Sequence, residues 1–96
     1  MKTLFFFFIT ISLSAQIKGV VKDSISGEPI SYVNIWVENE TIGTTSEADG
    51  RFSLDVKQDK NIVFSVLGYE KKSLKGTNVS LVQLNPIVYE LDEVIL

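Results

Sequence analysis

Neighbouring carboxylates are the side chains of this sequence that could carry acid–base chemistry. Glu47 and Asp49 are separated by one residue, and Asp92 and Glu93 are adjacent. Paired carboxyl groups act as general acid and base when burial sets their pKa values apart. Glu47 and Asp49 stand on or beside a turn that we expect to be exposed, and neither pair has the surroundings of a catalytic dyad. We therefore predict no catalytic residue, and we predict that the chain is not an enzyme.

The composition excludes several kinds of metal site and catalytic nucleophile, because the chain has no histidine and no cysteine. Zinc sites built from these residues, Ser-His-Asp triads and thiol nucleophiles are thereby excluded. Glu47-Ala48-Asp49-Gly50 offers two carboxylates and a glycine, but a calcium loop needs about six oxygen ligands, and Arg51 follows directly. The sequence favours a plain turn, and we predict neither a metal nor a cofactor.

Aromatic side chains give the remaining route to a ligand. Tyr32 and Trp36 would share one face of a predicted strand and could form a platform for a sugar. In a domain of this size such residues are more often core or inter-domain contacts. Two interpretations stay open: a non-catalytic interaction module, and a small carbohydrate-binding domain that uses exposed Tyr32 and Trp36.

The charge distribution argues against nucleic acid as a partner. The formal net charge is -3, and the densest basic stretch contains Lys71, Lys72 and Lys75 next to Glu70. A nucleic-acid surface needs a larger basic stripe. We interpret these lysines as solvating an exposed or edge strand, where they discourage aggregation.

Residues 1–15 have the order of a secretory signal peptide. Lys2 is followed by an apolar run of about ten residues, and small residues precede Gln16. A spanning helix needs roughly twenty apolar residues, so we expect cleavage near Ala15 and no membrane span afterwards.

The rest of the chain is a series of short strands that turns must position. The Asp49-Gly50 turn is the clearest, because aspartate can accept a bond from the backbone two residues on and glycine tolerates positive φ. Gly68 breaks a later apolar run. After the signal peptide no segment has a helical period, and the alternating or apolar runs predict strands over residues 16–23, 30–38, 44–46, 51–56, 62–67, 69–74 and 79–84.

These strands predict an all-β fold, a seven-stranded antiparallel Greek-key sandwich over residues 16–86. In the first strand Ile17 and Val21 should face inward, with Gly19 leaving room for Trp36 or a phenylalanine. Residues 87–96 would be a final strand or a linker. Their apolar end, Val94-Ile95-Leu96, predicts a docking surface or linker for a partner.

Six short motifs follow one another in a recognisable order, and together they span most of residues 16–84. They are Ile17-x-Gly19-x-Val21-x-Asp23, Gly27-Glu28-Pro29-Ile30, Val33-Asn34-Ile35, Gly43-Thr44-Thr45-Ser46, Asp49-Gly50-x-Phe52-x-Leu54 and Val63-Phe64-Ser65-Val66-Leu67-Gly68-Tyr69. In this order and spacing the sequence resembles the carboxypeptidase regulatory-like domain. The resemblance implies a transthyretin-like sandwich and an accessory module without catalytic residues.

In bacteria such domains commonly stand at the periplasmic N-terminus of TonB-dependent outer-membrane receptors, and Leu91 to Leu96 resembles the segment that leads into the receptor plug. The resemblance therefore implies an exported protein in the periplasm, associated with the outer membrane of a Gram-negative bacterium. Its partner would be an envelope protein or a missing downstream receptor domain. Whether the chain is a fragment or a solitary domain stays open at this stage.

Overall fold

A computed structural model describes residues 16–87, which form seven strands and one short 3-10 helix. The helix spans Gly76–Asn78. The strands are β1 (Gln16–Asp23), β2 (Asn34–Val37), β3 (Gly43–Thr45), β4 (Arg51–Asp55), β5 (Asn61–Ser65), β6 (Lys72–Lys75) and β7 (Leu81–Leu84).

The strands form two sheets, one with the order β4-β1-β7 and the other with the order β3-β2-β5-β6. Short strands that are apolar on one face must bury that face against a second layer, and the two sheets supply it. The predicted all-β sandwich is confirmed. β2 is internal to its sheet, and β3 and β6 are its edge strands; the position of β6 agrees with the lysines that were predicted to solvate an edge strand.

One strand pair departs from the predicted antiparallel arrangement. β1 and β7 run parallel, with Val20 opposite Leu81 and Asp23 opposite Leu84. The 3-10 helix explains the direction: it crosses the end of the sandwich where β1 begins, and a Cβ on Gly76 would lie 2.7 Å from Ile17 Cδ1. β7 therefore enters its sheet from the same end as β1.

The core lies between the sheets and follows the predicted alternation. Ile17 and Val21 of β1 face inward and are buried, as expected. Phe52 of β4 and Phe64 of β5 meet across the layers, with ring centroids 5.5 Å apart at 71°, an edge-to-face contact. A Cβ on Gly19 would clash with the Val79 carbonyl oxygen and would lie 2.9 Å from Phe52 Cζ. The backbone of Val79 and the Phe52 ring fill this space, so of the two expected neighbours it is the phenylalanine that lies here.

The second strand is shorter than predicted. It begins at Asn34 rather than at residue 30, because Tyr32 has a left-handed backbone with φ of 58° and extended pairing cannot pass through it. Tyr32 therefore lies before β2, in contrast to the prediction that it shares a strand with Trp36. Among the described residues no helix is long and apolar enough to span a membrane.

Candidate functional site

Trp36 lies beside an open groove on the outer face of the four-stranded sheet. Ile35 and Val37 are buried in the core, so the alternation of β2 turns Trp36 outward. The register sets Gly43 on one side of it and Val63 on the other. The groove has a volume of about 620 Å³, and its polar lining comes from Asn34, Thr41, Thr44 and Thr45.

The glycine at position 43 shapes this groove. β3 approaches β2 so closely here that a Cβ on Gly43 would lie 2.8 Å from the Ile35 carbonyl oxygen and 3.1 Å from Trp36 Cβ. A larger residue would push β3 away and fill the space next to the indole. β3 pairs with β2 alone among the described strands, so the groove runs along a sheet edge.

The indole ring is not a bare platform, because the Lys71 ammonium lies 5.9 Å from its centroid in a cation–π contact. Tyr32 is 67% exposed but does not line the groove. The structure therefore does not bring the two predicted aromatic residues together in one groove, and a ligand that stacked on Trp36 would have to displace or share the lysine.

The Asp49-Gly50 turn has the geometry of a tight reversal. Asp49 Oδ1 accepts a 3.1 Å hydrogen bond from the backbone N–H of Arg51, and the Gly50 N–H donates to the Glu47 carbonyl at 2.9 Å. Gly50 has φ of +83°, and a Cβ on it would lie 2.6 Å from the Val21 carbonyl oxygen. Glu47 and Asp49 are exposed. Within residues 16–87 no three Asp or Glu side chains cluster as a metal ion would require.

Gly68 occupies the second structural turn that the sequence singled out. It has φ of +90°, and its missing side chain would point into open space. The Tyr69 N–H donates to the Val66 carbonyl at 3.2 Å, which closes the turn around Leu67 and Gly68. The geometry is that of a turn whose third position favours glycine.

Ser46, which the sequence showed only as the end of a motif, is a buried serine that holds the chain between β1 and β2. Ser46 is 1% exposed, and its hydroxyl accepts from the Val33 N–H at 2.8 Å and donates to the Ile30 carbonyl at 2.9 Å. Its own backbone bonds Tyr32 and Val33. This one residue therefore bonds four backbone polar groups of the irregular segment between β1 and β2. No local sequence signal distinguishes it from the exposed serines.

Asp23, which the sequence showed only as part of a motif, organises one end of the sandwich. Its Oδ2 accepts a 2.7 Å hydrogen bond from the Tyr69 hydroxyl, and its Oδ1 accepts from the N–H groups of Ile25 and Ser26. The Tyr69 bond, supported by the Ser26 and Ile25 bonds, lowers the pKa of the Asp23 carboxyl below its ordinary value. The same hydrogen bond is the largest cause that raises the pKa of Tyr69.

Several predicted residues lie outside the described range. They are the signal peptide over residues 1–15, the carboxylate pair Asp92 and Glu93, and the apolar end Val94, Ile95 and Leu96.

Comparison with known proteins agrees with the fold. Residues 17–96 match the family model of the CarboxypepD_reg-like domain. The chain is 38% identical over 91 residues to the TonB-dependent receptor SusC of Bacteroides thetaiotaomicron, covering 92% of this chain and 9% of that receptor. It is 33% identical over 84 residues to the TonB-dependent receptor P3 of Formosa agariphila, covering 83% of this chain and 8% of that protein.

The chain thus spans less than a tenth of the length of either receptor, and the likeness is to one small part of each. The family match, by contrast, extends over almost the whole chain. The six motifs of the sequence, the two-sheet sandwich and these matches agree, and the chain belongs to the CarboxypepD_reg-like domain family.

Proposed function

We propose that this chain is a non-catalytic accessory module of a TonB-dependent receptor system, exported to the periplasm and associated with the outer membrane. The observation that carries the proposal is the coverage: 92% of the chain aligns with a receptor of which it represents 9%. A segment with these proportions corresponds to one small module of a much larger receptor.

A non-catalytic role is supported by what the described residues offer. Glu47 and Asp49 hold a turn at the surface, and the Asp49 carboxylate lies 3.7 Å from the exposed Arg51 side chain. Neither carboxylate is enclosed in a water-excluding pocket of the kind that acid–base chemistry uses. Such a domain would act by binding other parts of an assembly and would not catalyse a reaction.

The partner we propose is an envelope protein or a downstream receptor domain. β3 supplies an edge strand next to the Trp36 groove, and an extended segment of a partner can pair with such an edge. Residues 87–96, ending in Val94, Ile95 and Leu96, would serve as the linker or second contact.

In-cell cross-linking in the source bacterium tests this role. A photo-reactive residue replaces Thr45 on the β3 edge in one strain and Asp55 on the β4 edge in a matched control strain. We expect an antibody against the domain to detect it in the outer-membrane fraction, either within a large receptor polypeptide or cross-linked from position 45 to a TonB-dependent receptor. A small free periplasmic chain with no receptor adduct from either position would contradict the proposal.

Carbohydrate binding through Trp36 is the second candidate, and the groove is the observation that favours it. An indole edge flanked by an amide and hydroxyl groups is a common arrangement for neutral sugars. Tyr32, the other aromatic residue of this candidate, lies outside the groove lining. Titrating the chain with cellohexaose and maltohexaose should change the tryptophan emission in the wild type, and Lys71→Ala should strengthen the change by uncovering the ring. Unchanged emission with both sugars and both proteins would reject this function.

A further inference from the structure

Four strands of the described range lie at sheet edges, and they differ in how far those edges are already occupied. The strands are β4 and β7 in one sheet and β3 and β6 in the other. An edge exposes backbone N–H and C=O groups that can pair with another chain, and proteins usually block these groups or place charges beside them. Within residues 16–87 the edge of β3 has neither kind of protection.

The other three edges are blocked or charged. On β4 the Arg51 N–H donates to Asp49 Oδ1 at 3.1 Å, and the Arg51 carbonyl accepts from the Glu47 N–H at 2.8 Å. On β7 the Gln83 carbonyl accepts a 2.8 Å hydrogen bond from Lys72 Nζ, which reaches across from β6. β6 itself begins and ends with a lysine. A strand added at these edges would have to displace the bonds or desolvate the charges.

The edge of β3 carries no charged side chain, and its outward backbone groups are unoccupied. The Ile42 carbonyl and the Ser46 N–H, on either side of β3, both bond the chain on the β2 side. Backbone groups point alternately to the two sides of a strand, so those of Gly43 and Thr45 point away from β2. Within the described range no loop and no side chain bonds them. Two N–H groups and two carbonyls are therefore free to pair with an added strand.

A residue placed opposite Gly43 on an added strand would face the Trp36 groove. Trp36 lies opposite Gly43 on β2, and the glycine puts no side chain between the indole and the added strand. Neighbouring strands are about 4.8 Å apart, so a large apolar side chain can lean across this gap toward the ring. The groove therefore favours an apolar residue at this position of a partner.

The charge beside β3 is negative. Glu47 is exposed two residues after Thr45, and within the described range its carboxylate makes no ion pair, whereas Glu40 before Gly43 is bound to Lys60 at 3.0 Å. A lysine or arginine opposite Glu47 would complement its charge. A second copy of the chain fits less well, because it would bring another Glu40 and Glu47 to the same edge. β3 is also only three residues long, and stable interfaces use roughly twenty or more residues a side.

We propose that β3 accepts an extended segment of another polypeptide as a fifth strand of its sheet, with an apolar side chain opposite Gly43 and a basic side chain opposite Glu47. The added strand runs antiparallel, the direction in which each facing residue exchanges two hydrogen bonds with its partner. In that direction the basic residue comes four positions before the apolar one. This inference names the chemistry of the partner at the β3 edge and rests on the proposed interaction role.

A synthetic peptide with this pattern tests the proposal. The probe is acetylated and amidated Ser-Lys-Val-Thr-Val-Phe-Ser, and its binding is followed by tryptophan emission and by the amide NMR signals of Gly43 and Thr45. We expect the wild type to bind at millimolar concentration, with both amide signals moving downfield as the N–H groups gain acceptors. Thr45→Pro removes one outward N–H and should weaken binding about tenfold. Ser53→Pro makes the same change at an outward position of β4 and should bind like the wild type.

The charge match is tested by changing both partners. A peptide with glutamate in place of lysine should bind the wild type about threefold more weakly, and Glu47→Lys should reverse the preference between the two peptides. The melting temperature of each variant shows whether it is folded. If Thr45→Pro does not fold, the exchange of charges at position 47 decides alone.

No binding by the wild type, equal binding by folded Thr45→Pro, or an unreversed preference in Glu47→Lys would overturn the proposal. A wild-type dimer that Thr45→Pro converts to a monomer would assign the edge to a second copy and overturn it as well. The in-cell cross-link from position 45 separates this inference from the receptor role. A receptor adduct without peptide binding would reject strand addition alone, and peptide binding without a receptor adduct would reject the receptor role alone.

Discussion

The Tyr69 hydroxyl donates a 2.7 Å hydrogen bond to Oδ2 of Asp23 and so joins two segments that are 46 residues apart in the chain. The bond lowers the pKa of Asp23 from 3.8 and raises the pKa of Tyr69 from 10.0. Because the pKa of Asp23 is lower in the folded protein than in the unfolded chain, the ionised carboxylate stabilises the fold at a pH above the unfolded-state pKa. This stabilisation is lost as the pH falls through the folded-state pKa. Because the pKa of Tyr69 is higher in the folded protein than in the unfolded chain, the protonated hydroxyl stabilises the fold at a pH below the unfolded-state pKa. This stabilisation is lost as the pH rises through the folded-state pKa.

Tyr69→Phe should lower the melting temperature at neutral pH, because Asp23 loses its side-chain donor. The difference from the wild type should narrow as the pH falls below 3.8 and again as it rises above 10.0. Thermal unfolding followed by circular dichroism across the pH range measures this. Tyr32→Phe serves as the control and should match the wild type at every pH. A Tyr69→Phe difference that stayed constant into acid would show that the bond does not depend on the ionised Asp23.

Ser46→Ala should cost about 1–3 kcal/mol of unfolding free energy, because it leaves the Val33 N–H and the Ile30 carbonyl without a side-chain partner in a buried site. Ser53→Ala removes the same atom from an exposed position of β4 and should change stability by less than about 0.5 kcal/mol. Urea denaturation gives both values. Equal costs at the two serines would mean that the buried hydroxyl is not a structural link.

Gly50→Ala should destabilise more than Gly68→Ala, although both glycines have positive φ. At Gly68 the added methyl group meets open space, so only the left-handed backbone is penalised, by about 1–2 kcal/mol. At Gly50 the same penalty applies, and the methyl group also meets the Val21 carbonyl at 2.6 Å and Pro29 Cβ at 2.9 Å. Denaturation of the two variants side by side separates the backbone cost from the steric cost. The idea fails if Gly68→Ala proves the worse change.

Export should remove the first residues of the chain. The short basic start and apolar run predict cleavage near Ala15, so mass spectrometry of the protein isolated from the cell envelope should find an N-terminus at or near Gln16. A variant with Arg in place of Phe7 interrupts the apolar run and should accumulate uncleaved. An envelope protein that retained Met1 would contradict the prediction.

The sequence predicted well those features that depend only on residues close together in the chain. Alternation in β4 places Phe52 and Leu54 inward, because a strand presents successive side chains to opposite faces and only one face can reach the core. The Asp49-Gly50 turn is similar, since its hydrogen bond and its positive φ involve only adjacent residues.

The features that sequence did not predict depend on contacts between distant segments. Ser46 looks like any serine after a threonine pair, and its burial arises only because the irregular stretch around Val33 packs against it. The parallel pairing of β1 and β7 depends on how the 3-10 helix crosses between the sheets. The sequence left the exposure of Trp36 open and did not predict the groove beside it. Trp36 faces outward because Ile35 and Val37 face the core, and Lys71, which contacts the ring, lies 35 positions later in the sequence.

The parallel pairing of β1 and β7 has a mechanical consequence. β1 begins at Gln16 at one end of the sandwich, and β7 ends at Leu84 at the other. A force that pulls these two points apart draws the strands past each other along their length. The hydrogen bonds between them then share the force at the same time, whereas an antiparallel hairpin pulled from its open end would release its bonds one after another. Tension between Gln16 and Leu84 would therefore load this strand pair in shear, the geometry in which all of its hydrogen bonds must break together.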